Sequence, residues 1–467
     1  MYKIDFDTPC RIHFIGIGGI SMSGFAEYLH TLGFKVSGSD SHQSKITEHL
    51  KELGIEIHIG QKPSNITSDI DVVVYTAAIL PDNEEFQEVQ NRKIPMLNRA
   101  QMIGQLMLNF NDAIAVSGTH GKTTTTSMLS LIFLEAAMDP TISVGGILDA
   151  IGGNIRMGKS EHFIIEACEY TNTFLEFNPN RSIILNIDAD HLDFFKDLED
   201  IRNSFRLFAK RLPKSGQLFI NGDIDRLEEF TKELECEVLT YGIIDPEYRV
   251  GNRSYDFAAD HIIFNDKSMG SYDLYYKGEF VDRISLNVVG LHNLSNSIPA
   301  IGVALELGIP IDPIKRALLS FHNSKRRFEY KGEIGGVTII DDYAHHPTEV
   351  KATLNAALKY PHKTLWCVFQ PHTYTRMKKH LTEFAEALSM ADQIVLADIY
   401  AAREKNPGDI SSQDLVRELE KLGKEVHYFP CFDEIENYLL QNCMNGDLLI
   451  TMGAGDIVSV GENLLGL

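Results

Sequence analysis

The run Gly118-Thr119-His120-Gly121-Lys122-Thr123 sets a lysine and a hydroxyl directly after a glycine turn, a combination suited to a polyphosphate. Backbone N–H groups around Gly121 would cradle the β-phosphate. The Lys122 ammonium would neutralise charge on the β- and γ-phosphates, and the Thr123 hydroxyl would ligate Mg²⁺. Two residues rather than four separate the glycines, with Val116 where the usual first glycine would stand. Downstream, Glu166-Ala167-Cys168-Glu169 and Asn186-Ile187-Asp188-Ala189-Asp190-His191 each close an apolar run. The carboxyl ends of parallel strands are where such folds bind ligands, so Glu169 and His191 are candidate partners of Thr123 in a Mg²⁺ site. Mg²⁺ prefers oxygen, which makes the histidine the less expected member. A lone glutamate or histidine in a loop is usually only solvated; their joint occurrence after a phosphate loop is what makes them a candidate site.

A second glycine turn opens the chain. Ile15-Gly16-Ile17-Gly18-Gly19-Ile20-Ser21-Met22 follows one apolar run, and a second, Lys35–Gly38, leads to Asp40. Gly16, Gly18 and Gly19 would let backbone approach a pyrophosphate, and Asp40 would accept hydrogen bonds from a ribose. Ser21 stands at the third glycine position, so this turn fits a UDP group, a nicotinamide dinucleotide, or a strand-to-helix turn without ligand.

Positioning these residues calls for layered α/β structure. Short apolar runs alternate with amphipathic stretches, with strands expected at Arg11–Ile15, Val72–Tyr75, Ala113–Val116, Phe163–Ile165, Ser182–Asn186, Val337–Ile340, Thr364–Phe369, Gln393–Ala397 and Leu448–Thr451. Helices are expected at Met22–Leu32 and Thr124–Ala137, directly after the two glycine turns. A polar patch at Asn109–Asp112 and a basic cluster beyond Phe321–Ser324 divide the chain into residues 1–110, 111–322 and 323–467.

The bulk numbers agree with a soluble enzyme. With 467 residues, 44% hydrophobic and 23% charged, the chain is long enough for roughly two to four domains. A net charge of −22 disfavours nucleic acid as a partner. The six cysteines show no C-x-x-C pair, which indicates neither a zinc site nor a disulfide framework. The N-terminus lacks an apolar signal core and no apolar run spans a bilayer, so a cytoplasmic protein without a membrane partner is expected, a monomer or weak homo-oligomer.

Together with Gly290-Leu291-His292-Asn293-Leu294-Ser295-Asn296, Asp341-Asp342-Tyr343-Ala344-His345-His346-Pro347-Thr348-Glu349, Phe369-Gln370-Pro371-His372-Thr373-Tyr374-Thr375-Arg376 and Met452-Gly453-Ala454-Gly455-Asp456, these motifs resemble the Mur ligases over nearly the whole chain. The shortened phosphate loop is that family's own form. The resemblance implies three domains: a Rossmann-like N-terminal domain for UDP, a central P-loop ATPase-like domain with a mixed sheet, and a Rossmann-like C-terminal domain for the amino acid. It implies ATP and Mg²⁺, with UDP-N-acetylmuramate and L-alanine as substrates of peptidoglycan precursor synthesis. By motif position, Gly118 to Thr123 with Thr124, His292, Asn293 and Asn296 would hold ATP. Arg326 or Arg327 and Asp342 would reach it from the third domain. Tyr343, His345, His372 and Arg376 would line the amino-acid and carboxylate site, with Lys122, His345 and Arg376 as catalytic groups.

Each of these positions has a structural competitor. Asn293 and Asn296 fit helix caps, Arg326-Arg327 a solvated pair, and His345-His346-Pro347 a turn before a helix. Several Mur ligases carry a CO₂-modified lysine some turns after the residue matching His191; here Ile201–Arg206 offers none and Lys210 is out of register, so no carbamylated lysine is expected. A ligase adding a peptide to the same UDP-sugar, an NAD-dependent oxidoreductase and a non-catalytic nucleotide-binding module remain as alternatives.

Overall fold

Three separate sheets carry the chain. The computed structural model describes residues 2–467 apart from Asp193, Asn252, Asn323, Ser324 and Arg403. The boundary expected at Phe321–Ser324 therefore falls partly on residues outside those described.

The first sheet is fully parallel, in the spatial order Glu56–Ile59, Lys35–Asp40, Arg11–Ile15, Val72–Tyr75, Met96–Asn98. The chain winds outward in both directions from Arg11–Ile15, so the glycine turn leaves the sheet at its topological switch point. Alternation sorts its faces: Ile12, Phe14, Val72 and Val74 face one apolar cluster, while Ile15 and Val73 face another with Ile66, Ile70 and Val89. The first cluster does not stop at this sheet. It continues through Phe25 and Leu106 into Phe163, Phe174, Phe205 and Leu218 of the centre.

The second sheet has ten strands, and its parallel middle holds the phosphate loop. Asp112–Ser117 lies between Arg181–Ile184 and His162–Glu166, parallel to both. Both edges turn antiparallel: Gly153–Arg156 on one side, Met269–Tyr276 and Glu279–Val289 on the other. The helix Lys122–Glu135 begins at the loop itself, two residues before the expected Thr124. The strand expected over Ser182–Asn186 ends at Ile184, because Asn186 leaves the sheet to bond the phosphate loop.

The third sheet has six strands in the order Glu329–Ile334, Val337–Asp342, Leu448–Met452, Leu365–Phe369, Gln393–Leu396, Val426–Tyr428, with only the first antiparallel. Its two faces have their own apolar clusters, drawn from Phe328 onward. Among the described residues no helix is long and apolar enough to cross a membrane.

Candidate active site

The phosphate loop is shaped by its neighbours on either side. Asn186, just past one adjacent strand, accepts from the His120 amide through its side-chain oxygen (2.8 Å) and donates to the His120 carbonyl (3.0 Å). Its backbone carbonyl accepts from the Thr119 amide at 3.2 Å. Gly121 has φ +85°, and a Cβ there would lie 2.5 Å from Asn296 Oδ1, so backbone shape and the approach of Asn296 both require glycine. Asn293 and Asn296 are buried in the first turns of the helix Leu291–Glu306, and His292 stands exposed beside them.

Lys122 folds back over its own loop. Its Nζ donates to the carbonyls of Gly118 (2.6 Å) and Thr119 (3.0 Å) and pairs with Glu169 Oε2 at 3.0 Å. Glu169 is 1% exposed. Burial works against the Lys122 charge, but Glu169 and Glu166 outweigh it and hold the ammonium above the usual lysine range. The Thr123 hydroxyl donates to Glu166 Oε2 (2.9 Å), which also accepts from the Gly145 amide (2.7 Å). His191 Nε2 lies 3.8 Å from Glu169 Oε1. Thr123 thus pairs with Glu166 and His191 with Glu169, both carboxylates acting on Lys122, and these oxygen donors suit a hard cation such as Mg²⁺. Glu166 belongs to this group although the sequence reading gave it no role; its place at the end of the strand beside the loop strand is the signal that would have found it. Lys210 sits elsewhere, paired with Glu233.

The third domain closes the opposite wall. One cavity of about 490 Å³ is lined by Thr119 to Thr124, Glu166, Asp190, His191, His292, Asn293 and Asn296 from the centre, and by Arg327, Asp342, His345 and Glu349 from the third domain. A second cavity of about 450 Å³ adjoins it past His292 and Ala352, with Tyr248, Phe264 and Lys359 in its walls. Direct contacts join the two sides. Glu349 Oε1 is 3.1 Å from His120 Nδ1, and the Thr348 hydroxyl donates to Asp188 Oδ2 at 2.6 Å. Arg376 donates to Asp190 Oδ1 at 2.9 Å. Burial opposes the His120 charge, but Asp188 and Glu349 on its two nitrogens raise it to about 9. Burial pushes Asp342 up to about 6 and pulls His345 down to about 4, which leaves that imidazole neutral at pH 7.

Not every expected residue reaches this cavity. Arg326 is spent inside its own domain on Asp341 (3.0 Å) and on the carbonyls of Gly453 and Gly455. Arg327, one residue on, faces the cavity instead. Tyr343 lies against both guanidinium groups, about 5 Å from each. His372 stacks on Tyr400 and accepts from Arg376 at 3.0 Å, so it holds Arg376 rather than lining the cavity. In the first domain, Asp40 Oδ2 accepts from the Gly18 amide at 2.9 Å, and a Cβ on Gly18 would strike that oxygen at 2.8 Å. Asp40 therefore closes the turn formed by Gly16, Gly18 and Gly19.

Comparison with known proteins decides the family. Three successive family profiles match: the Mur ligase family catalytic domain over residues 11–111, the Mur ligase middle domain over 116–304, and the Mur ligase glutamate ligase domain over 326–455. The chain belongs to the Mur ligase family. It is 62% identical to the UDP-N-acetylmuramate–L-alanine ligase of Lachnoclostridium phytofermentans over 467 residues, all of both chains. It is 55% identical to the enzyme of the same name from Lachnospira eligens, again over the full length of both. A crystal structure of UDP-N-acetylmuramate-alanine ligase from Thermotoga maritima superposes with a TM-score of 0.76 at 27% identity, covering 98% of each chain. This Mur ligase therefore has the three-domain α/β architecture that its sequence motifs imply.

Proposed function

We propose that this Mur ligase joins L-alanine to the lactyl carboxylate of UDP-N-acetylmuramate, with ATP cleaved to ADP and phosphate, as a cytoplasmic step of peptidoglycan precursor synthesis. The observation that carries this reading is the single cavity with the phosphate loop on one wall and the neutral His345, Arg327 and Glu349 on the other. Full-length identity of 62% to a ligase of that name supports the choice of substrates.

A carboxylate has too poor a leaving group to react with an amine in neutral water. ATP removes the obstacle by converting it to an acyl phosphate. In this reading the sugar's carboxylate attacks the γ-phosphate in line, and the amine then displaces phosphate. Phosphoryl transfer depends on positioning and charge neutralisation more than on covalent help. The Lys122 ammonium, released from Glu169 when the phosphates bind, neutralises the transferred group. Thr123, Glu166, Glu169 and His191 would hold Mg²⁺, which when bound offsets phosphate charge and orients the phosphate oxygens. Asn296 packs against the loop, Asn293 lines the same cavity, and the adjoining aromatic cavity with Tyr248 and Phe264 receives the nucleotide base. Gly16, Gly18, Gly19 and Asp40 hold the UDP group. His345, unprotonated at pH 7, takes the proton that the attacking amine loses. Arg376, fixed by Asp190 and His372, steers the carboxylate.

Coupled measurement of ADP release tests the reading. Release should require UDP-N-acetylmuramate together with L-alanine, with glycine and serine weaker. ADP release driven by a tripeptide instead of an amino acid would identify a peptide-adding ligase, and NADH turnover would identify an oxidoreductase.

A further inference from the structure

His120 of the phosphate loop, Asp188 beyond the neighbouring strand and His346 of the third domain bring three ligand atoms within 4.8 Å of one another. His120 Nε2 is 3.3 Å from Asp188 Oδ2, and His346 Nδ1 is 3.9 Å from the same oxygen. Donors around a tetrahedral Zn²⁺ with bonds of about 2.0–2.1 Å stand about 3.4 Å apart, so the trio needs shifts of only about 1 Å to close on an ion.

A second observation, independent of that spacing, points the same way. Ligating histidines typically use their other ring nitrogen on a carboxylate or a backbone carbonyl. Here His120 Nδ1 lies 3.1 Å from Glu349 Oε1, and His346 Nε2 lies 3.3 Å from the Ala189 carbonyl. His346 Nδ1 accepts only a long contact (3.4 Å) from the Thr348 amide, so it is the unprotonated nitrogen of that ring and would ligate by giving up this weak cap. Both rings are thus braced through the nitrogen that would not ligate. His346 is 3% exposed, while His120 and Asp188 line the large cavity, leaving a fourth position open to solvent or ligand.

We propose that His120, Asp188 and His346 form a binding site for a borderline transition-metal dication such as Zn²⁺, separate from the oxygen donors of Thr123, Glu166 and Glu169. Two imidazole nitrogens select such an ion over Mg²⁺. The ion takes the place of the proton between His120 Nε2 and Asp188, and that proton leaves to solvent. Its ligands come from two domains, so the bound ion favours the arrangement in which the third domain is docked on the phosphate loop. The proposal is independent of the ligase reading.

The test is Zn²⁺ binding to the full chain without nucleotide, by equilibrium dialysis against millimolar Mg²⁺. One Zn²⁺ per chain is expected. His346→Asn, which keeps a helix-capping side chain, should weaken it at least tenfold, and Glu169→Gln should leave it unchanged. Hydrogen exchange of the loop amides around Gly121 should slow on adding Zn²⁺ in the unmodified protein and not in His346→Asn. Binding that survives His346→Asn, or is lost in Glu169→Gln or to Mg²⁺, would overturn the proposal.

Discussion

Replacing Lys122 by methionine should do more than stop catalysis; it should strand a buried carboxylate. The Lys122 and Glu169 side chains are 12% and 2% exposed, and their charged atoms are 3.0 Å apart. At an effective dielectric of about 20, that attraction is worth about 5.5 kcal/mol before desolvation. Removing one partner of such a pair typically costs about 3–5 kcal/mol. A stranded carboxylate can escape by taking up a proton, and holding a proton on an ordinary glutamate costs about 3.7 kcal/mol at pH 7 but only about 1 kcal/mol at pH 5. The protonated form relieves the stranded charge, so the loss is largest at neutral pH and fades as the pH falls towards that of an ordinary carboxylate. Lys122→Met should therefore destabilise the central domain by about 3 kcal/mol at pH 7, a drop of about 6–12 °C in its melting temperature, and by about 1 kcal/mol at pH 5. The double variant Lys122→Met/Glu169→Gln should regain most of that stability while staying inactive. Urea unfolding followed by circular dichroism at both pH values measures each quantity. A loss under about 1 kcal/mol at pH 7, or no recovery in the double variant, would refute the pairing and with it the account of how Lys122 is held before phosphate arrives.

Three further outcomes follow from the geometry. Gly121→Ala puts a methyl group 2.5 Å from Asn296 Oδ1 at φ +85°, and should weaken ATP binding at least tenfold by calorimetry with the far-ultraviolet spectrum preserved. Asp40→Ala removes the acceptor of the Gly18 amide and should raise KM for the UDP-sugar substantially with KM for ATP nearly unchanged; equal losses would argue against a separate UDP domain. Burial holds His345 down to about 4 against an unfolded value of about 6.5, so unfolding takes up a proton between those values; its contribution is complete above pH 6.5 and is lost as the pH falls towards 4. Asp342, pushed up to about 6 by burial, acts in the opposite sense between about pH 4 and 6. His345→Gln should therefore flatten the acid limb of a stability–pH curve by up to about 1.4 kcal/mol per pH unit, and an unchanged slope would refute a buried neutral imidazole.

The strand–loop–helix around Lys122 was legible because its signals are local: an apolar run, glycines at positions needing unusual backbone, and a helix start. The same holds for the turn ahead of Asp40. Contacts between distant segments were not legible. His120 and Glu349 are separated by 229 positions, and nothing in either neighbourhood announces the other. The choice between Arg326 and Arg327 was likewise beyond local reading. Arg326 adopts φ +63°, a left-handed conformation that turns its side chain inward to Asp341 and leaves Arg327 to the cavity. Asn186 shows how tertiary structure trims a strand: its side chain stabilises the loop instead of extending the ladder.

The apolar cluster running from Phe14 and Phe25 into Phe163, Phe205 and Leu218 bears on how the chain is synthesised. The helices Ile20–Thr31 and Arg99–Met107 that cover the N-terminal sheet pack in turn on Gly153–Arg156 and Tyr170–Glu176, so their outer sides stay bare until those segments have left the ribosome. That is roughly 70 residues after the second of these helices, or about 3–14 s at usual elongation rates. During that interval the outer sides of those two helices are an uncovered apolar surface, a natural client for nascent-chain chaperones. The third domain, whose clusters draw only on residues from Phe328 onward, needs no such wait and can complete its own core once its helix Val458–Leu465 has emerged.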